Sequence, residues 1–254
     1  MTGGSLNDSS PDSAPTIWLC REPVSPCQGT PGWLTAFEKG TVDNFSGLRR
    51  SEYLCSRWLI RQALAGTSGT EGAKCRPVDG RPVCSEFPPG WHLSLSHSHG
   101  LSACAVSATT GLGLDIEPRS RHPHWQKVVR RWFTPDEQAW LLASDHCEDF
   151  LRVWTLKEAW LKATGRGIAG NLQTLEVTPD FRLFGDRPGE DWMATSGQVD
   201  DFLVALVYRR SGKLSPSGSL LQPPGDALQM DQPARPVAPV RWLFHTPIMT
   251  REQE

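Results

Sequence analysis

A chain of 254 residues can bury one large core or two small ones. Its formal net charge of -2, with 21% charged residues, supplies no overall field for nucleic acid or an anionic membrane, so any basic site must be local. No apolar run approaches the ~20 residues of a membrane helix, and seven cysteines without a CxxC pair argue against a disulfide framework or a zinc ribbon.

The first fifteen residues, rich in Ser, Gly, Pro and Asp, have little to bury and read as a mobile tail without the order of a signal peptide. A soluble cytoplasmic protein is expected. RRSEYLCSRWLIRQAL (49 to 64) is predicted to be a helix, with Leu54, Trp58 and Leu64 near one stripe and Arg50, Arg57 and Arg61 on a neighbouring basic one. A turn, AGTSGTEG, closes it. WHLSLSHSHGLSACAVSA (91 to 108) alternates Leu93 and Leu95 with Ser94 and Ser96, breaks at Gly100 and resumes, which predicts a hairpin.

GLGLDIEP (111 to 118) reads as a third strand, stopped by Pro118. In an extended chain Leu112, Leu114 and Ile116 face one way, and Gly113, Asp115 and Glu117 the other. Two carboxylates on one face raise the cost of ionising each other unless a cation joins them. FTPDE (133 to 137) is a helix start, with Thr134 as cap, Pro135 in the first turn and Glu137 at the capping-box position. A second helix is predicted over 148 to 165, ending in Gly165, followed by the strand-like runs LQTLEV, FRLFG and DFLVALVYR. Helix followed by antiparallel strands thus occurs twice, before and after about residue 110, without a clear residue-level repeat. From about 212 the chain is Pro-, Gly- and Ser-rich, an expected extension whose more apolar end, RWLFHTP, is able to dock.

On the helix 148 to 165, Phe150, Val153, Trp154, Trp160 and Leu161 define an apolar face with Lys157 in its middle. Glu158 and Lys162 lie one turn apart at its edge. Alone they would be an ordinary surface ion pair, and Lys157 would merely snorkel. Combined with Asp115 and Glu117, Glu158 completes an all-oxygen set that suits Mg²⁺, and Lys162 is spaced to hold a phosphate on that metal.

GLGLDIE followed by WTLKEAWLK (154 to 162) resembles the two-part signature of the 4'-phosphopantetheinyl transferases. SLSHS is similar to that family's serine-histidine element, and DGRP (79 to 82) to its Gly-Lys/Arg-Pro element. Length, the Asp-x-Glu form and CSRWLIR (55 to 61) resemble the monomeric double-domain branch, the surfactin-synthetase-activator type. The resemblance implies an α+β fold of two similar subdomains related by a pseudo-twofold axis. Each would be a small antiparallel sheet packed with helices, with the active site at their interface. The boundaries it implies are 16 to 110 and 111 to 211, flanked by the tail (1 to 15) and the extension (212 to 254).

The activity implied is transfer of the 4'-phosphopantetheine arm of coenzyme A to a serine of an apo acyl- or peptidyl-carrier protein, of the holo-acyl-carrier-protein synthase type. Asp115, Glu117 and Glu158 would ligate Mg²⁺; Glu158 would also act as base, and Lys162 would contact the diphosphate. Ser96, His97, Arg81 and Arg76 would hold phosphate groups, with Lys39 the nearest match to a further basic contact. His99 is an extra histidine beside His97, since the hairpin is one residue longer than in many members. Two other readings stand against this one. The HxH pairs His97/His99 and His122/His124 would serve a histidine-carboxylate metallohydrolase, and a catalytically dead carrier-protein binder would keep only the fold.

Overall fold

The computed structural model describes residues 14–23, 27, 29–210, 214–222, 228–230 and 234–251, so all but the end of the expected N-terminal tail lies outside the described residues. The fold is α+β and uses a similar order of elements twice, with one helix more in the second half. The first half runs β1 (Thr16–Arg21), α1 (Ala36–Val42), α2 (Gly47–Ser68), the short pair β2 (Arg76–Pro77) and β3 (Ser85–Phe87), then β4 (His92–Ser98) and β5 (Leu101–Ser107). The second runs β6 (Leu112–Pro118), α3 (Trp125–Trp132), α4 (Pro135–Ser144), α5 (Cys147–Ala163), the short pair β7 (Leu175–Val177) and β8 (Leu183–Gly185), then β9 (Trp192–Val199) and β10 (Phe202–Arg209). In each half the last two strands form an antiparallel hairpin, and the first strand pairs antiparallel with the last.

The two sheets share a core. Ile17 and Leu19 of β1 and Ala103 and Ala105 of β5 pack with Leu114 and Ile116 of β6 and with Val204 and Leu206 of β10. The opposite face of the first sheet buries α2 through Leu54, Trp58 and Leu59, and that of the second buries α5 through Val153, Leu156 and Trp160. The layers therefore run helix, sheet, sheet, helix. The predicted hairpin turns at His99 and Gly100, both at positive φ (47° and 78°), as a two-residue turn between strands requires.

The Pro-rich C-terminal segment differs from its expected role as an extension. Its described residues form β11 (Ser217–Leu221), β12 (Pro236–Pro239) and β13 (Arg241–Met249). β11 lies parallel to β1, while β13 inserts between β9 and β8, antiparallel to the first and parallel to the second. Both sheets are consequently mixed where pure antiparallel pairing was expected. A register shift between Trp242 and Phe244 sends these side chains to opposite faces, Trp242 to the core between the sheets and Phe244 to the α5 side. Sparse apolar residues suffice because each meets a face already formed: Leu220, Leu221, Val240 and Ile248 are all buried. No helix among the described residues is long and apolar enough to cross a membrane.

A residue-level repeat invisible in the sequence emerges at the helix starts. Thr35 and Glu38 form a capping box on α1, and Thr134 and Glu137 form one on α4. Both glutamates are buried and pair with a buried cation from the half's long helix. Glu38 Oε2 accepts from Arg61 at 2.6 Å, and Glu137 Oε1 accepts from Lys157 Nζ at 2.7 Å. Lys157, the residue that broke the apolar pattern, is thus no snorkelling surface lysine. It also donates to the Leu172 carbonyl (2.7 Å) and lies 4.8 Å from the Phe133 ring centroid, tying α5 to α4 and to the approach of β7. Burial pulls its pKa down and Glu137 opposes the fall.

Removing one partner of a buried pair leaves the other charge uncompensated. Lys157→Met should lower the stability to urea by about 3–5 kcal/mol, and combining it with Glu137→Gln should recover part of the loss. An unchanged unfolding midpoint in the single variant would show that the pair does not hold α5 in place.

Candidate active site

The site begins with a missing side chain. A Cβ on Gly113 would stand 1.9 Å from the Ala159 carbonyl oxygen and 2.5 Å from the Ala163 amide nitrogen, so the backbone of α5 lies directly on β6 at this point. Glu158 and Lys162 adjoin Ala159 and Ala163 in the helix, and Asp115 and Glu117 follow Gly113 on the same face of the strand. One close approach therefore gathers three carboxylates and an ammonium. Asp115, Glu117 and Glu158 are all buried.

The hairpin supplies the third wall. Leu93 and Leu95 of β4 turn toward α2, leaving Ser94, Ser96 and Ser98 facing β6. Ser94 Oγ accepts from the Leu114 amide at 2.9 Å, Ser96 Oγ donates to Asp115 Oδ1 at 2.9 Å and Ser98 Oγ donates to Glu117 Oε2 at 3.2 Å. The serines hold the acidic strand in register without neutralising it.

Charges complete the arrangement. Lys162 Nζ donates to Asp115 Oδ1 (2.9 Å) and to the Leu114 carbonyl (2.8 Å), and the Arg121 guanidinium is paired with Glu117 Oε1. Asp115 Oδ2 is buried with no hydrogen-bond partner, and among the described residues no hydrogen bond or ion pair reaches the Glu158 carboxylate. Burial pushes the pKa of Asp115 up against the pull of Lys162, and that of Glu117 up against Arg121. Glu158 is pushed up to about 7, first by burial and then by the Asp115 charge.

The three acids, Ser96, His97, Trp154, Arg121 and Lys162 line a cavity of about 420 Å³. A second cavity, also about 420 Å³, contains Arg81, His92 and Ser94 and meets the first at Leu95 and Lys162. The sequence-predicted residues divide accordingly. Asp115, Glu117, Glu158, Lys162, Ser96 and His97 come together, with Arg81 next door. Arg76 lies exposed against Glu86 (2.7 Å) and belongs to neither cavity, nor does Lys39 on α1. His97 Nε2 reaches Glu52 Oε1 at 2.8 Å, whereas His99 sits in the hairpin turn with Nδ1 2.9 Å from Ser98 Oγ. His122 and His124 stand before α3, outside both cavities. As the side chains stand, no three His, Cys, Asp or Glu among the described residues are grouped to hold a metal ion. Asp115 and Glu117 are engaged by Lys162 and Arg121 instead.

Sequence reasoning missed Ser98, Arg121 and Trp154 as site residues. The period-two serines of SLSHS carried a signal for the first, and the i, i+4 spacing of Trp154 to Glu158 one for the last. Arg121 is brought back over β6 by a turn after Pro118, which spacing does not reveal.

The profile of the 4'-phosphopantetheinyl transferase superfamily matches residues 111–207, essentially β6 to β10. The 4'-phosphopantetheinyl transferase HetI of Nostoc sp. is 32% identical over 166 residues, covering 61% of this chain and 69% of its own. The chain belongs to the 4'-phosphopantetheinyl transferase superfamily. Other members similar to it are Sfp of Bacillus subtilis, 31% identical over 101 residues (39% of this chain, 43% of its own), and AcpT of Salmonella typhimurium, 30% identical over 135 residues (52% and 67%). In this phosphopantetheinyl transferase superfamily member the matched segment is the second half of the repeat, which carries the acidic strand and α5.

Two outcomes follow from the geometry. Gly113→Ala must push α5 off β6, at a cost of about 1–3 kcal/mol for an overpacked contact, measurable by thermal unfolding; a variant as stable as the parent would mean the helix yields freely. The second concerns Glu158. Its folded pKa of about 7 exceeds the ordinary 4.5, so the folded state binds its proton more tightly and stability from this group falls as pH rises between the two. With a chelator present, Glu158→Gln should therefore be more stable than the parent above pH 7, with the advantage shrinking toward pH 4.5. A constant difference across that range would contradict the raised pKa.

Proposed function

We propose that the protein transfers the 4'-phosphopantetheine arm of coenzyme A to a serine hydroxyl of an apo carrier protein, releasing adenosine 3',5'-bisphosphate. The observation that carries this is the meeting of Asp115, Glu117, Glu158 and Lys162 in one cavity. HetI, Sfp and AcpT, named as 4'-phosphopantetheinyl transferases, support the same chemistry.

The acids fit Mg²⁺: the donors are oxygens only, and Asp115 presents a buried oxygen with no partner. Asp115, Glu117 and Glu158 would hold the ion, which when bound neutralises charge on the diphosphate. Glu158, unpaired and titrating near neutrality, accepts the proton of the carrier serine as its oxygen attacks the β-phosphorus. Lys162, at the junction of the two cavities, binds the diphosphate and stabilises the leaving bisphosphate. Arg81 and His97 bind the remaining phosphate, with the arginine fork suited to it. Ser96 acts mainly by fixing Asp115.

The two-half architecture and the similarity to Sfp favour the monomeric double-domain branch, acting in the cytoplasm on carriers of fatty-acid, polyketide or peptide synthesis. The second cavity contains Arg81 and shares Lys162 with the first, so it offers cationic groups to a long phosphorylated substrate.

Incubation with coenzyme A, Mg²⁺ and a panel of apo carriers should raise the intact mass of at least one carrier by a single phosphopantetheine arm. Glu158→Gln should slow that transfer by about 10²–10⁴-fold while remaining folded. Absence of modification across fatty-acid, polyketide and peptide-synthetase carriers would overturn the reading.

A further inference from the structure

Arg121 belongs to none of the elements that build the cavity, yet it occupies one of the acids. It follows β6 by way of a turn in which its amide donates to the Pro118 carbonyl (3.1 Å), and Cys147 Sγ donates to the Arg121 carbonyl at 3.4 Å. The backbone is thereby pinned from both sides. The side chain, 37% exposed, reaches over the edge of β6 to Glu117, whose own side chain is only 9% exposed. Lys162 makes the equivalent contact to Asp115 and is anchored further by the Leu114 carbonyl. Each β6 acid therefore has a resident cation, while among the described residues none pairs with Glu158.

We propose, building on the phosphoryl-transfer reading above, that Arg121 is an exchangeable counter-ion that couples divalent-cation binding to diphosphate binding. A metal ion arriving alone must take Glu117 from the guanidinium. That leaves a cation without its partner beside a second positive charge, in a cavity where desolvation makes such losses costly. A metal ion arriving with a diphosphate meets no such penalty, because the freed guanidinium finds phosphate oxygens that its fork can bind in pairs. Ser98 stays on the other oxygen of Glu117, so the acid keeps its place during the exchange. Arg121 suits this task better than Lys162: it has one polar partner at the site and the longer, more exposed reach, whereas Lys162 is held by two. The coupling is a binding free energy and is reciprocal, so coenzyme A tightens the metal by the factor that the metal tightens coenzyme A. Arg121 is in this sense a positioning and selectivity residue, favouring the metal-diphosphate pair over the free ion.

The test is Mn²⁺ binding to the full chain, read as free Mn²⁺ by electron paramagnetic resonance with and without coenzyme A. In the parent protein coenzyme A should tighten Mn²⁺ by about 5- to 150-fold. Arg121→Gln should bind Mn²⁺ alone about tenfold more tightly and lose a matching share of the coenzyme A enhancement, within the same coupling range. Arg119→Gln removes the same charge two residues away, where the guanidinium instead meets Glu148 at 2.8 Å, and should behave as the parent. An unchanged or weaker Mn²⁺ affinity in Arg121→Gln, or equal tightening in Arg119→Gln, overturns the proposal while leaving the transfer reading intact. A parent protein that takes up no Mn²⁺ even with coenzyme A overturns the metal assignment itself, and this proposal with it.

Discussion

The arrangement depends on the contact between Gly113 and Ala159. Where α5 rests on β6 there is no room for a Cβ, and the helix backbone takes that space. Side chains on either side of the contact are drawn together to hydrogen-bond range: Lys162 reaches Asp115 at 2.9 Å. The helix is fixed in rotation from its other side. Lys157 and Glu158 are consecutive, ~100° apart around the axis, so one enters the α4 interface and the other the cavity. The buried Lys157–Glu137 pair thus sets the direction of Glu158 although it touches no part of the site.

The two halves solve one packing problem in opposite ways. In the second half the small residue is on the strand, and the helix comes close. In the first it is on the helix: a Cβ at Gly66 of α2 would stand 2.6 Å from the Trp18 ring of β1. The strand there fills the space with an indole, and the face that carries Asp115 and Glu117 on β6 carries Trp18 and Cys20 on β1. The duplicated frame, with its capping-box glutamate and buried cation, is retained in both. Only the half with the glycine on the strand places two acids beneath a helix.

Much of this was legible in the residues. The alternation in GLGLDIEP separated the core face from the acidic face correctly, because a strand's period is fixed by backbone geometry and not by context. The capping box of FTPDE was equally local. What escaped reading depended on distant partners. Lys157 looked like a solvated exception because its partner lies twenty positions back, within a motif that already had a local explanation. The strands after 212 looked like a linker because their few apolar residues are useful only against sheets that other segments build. The glycine of GLG was read as a strand residue, since nothing in the sequence says that a helix backbone will take its Cβ position.

The acids are held by two kinds of partner with different consequences. Ser96 and Ser98 fix Asp115 and Glu117 by neutral hydrogen bonds, which orient a carboxylate but leave its charge available. Lys162 and Arg121 hold them by charge, which offsets the carboxylates directly. Burial alone would drive these carboxylates toward their neutral forms, and the cations are what opposes it on β6. Glu158 has Lys162 within electrostatic reach but no direct contact, and it is raised to about 7. Geometry thus sorts three chemically similar acids into two whose upward shift a paired cation opposes and one, without that contact, that is raised to about 7.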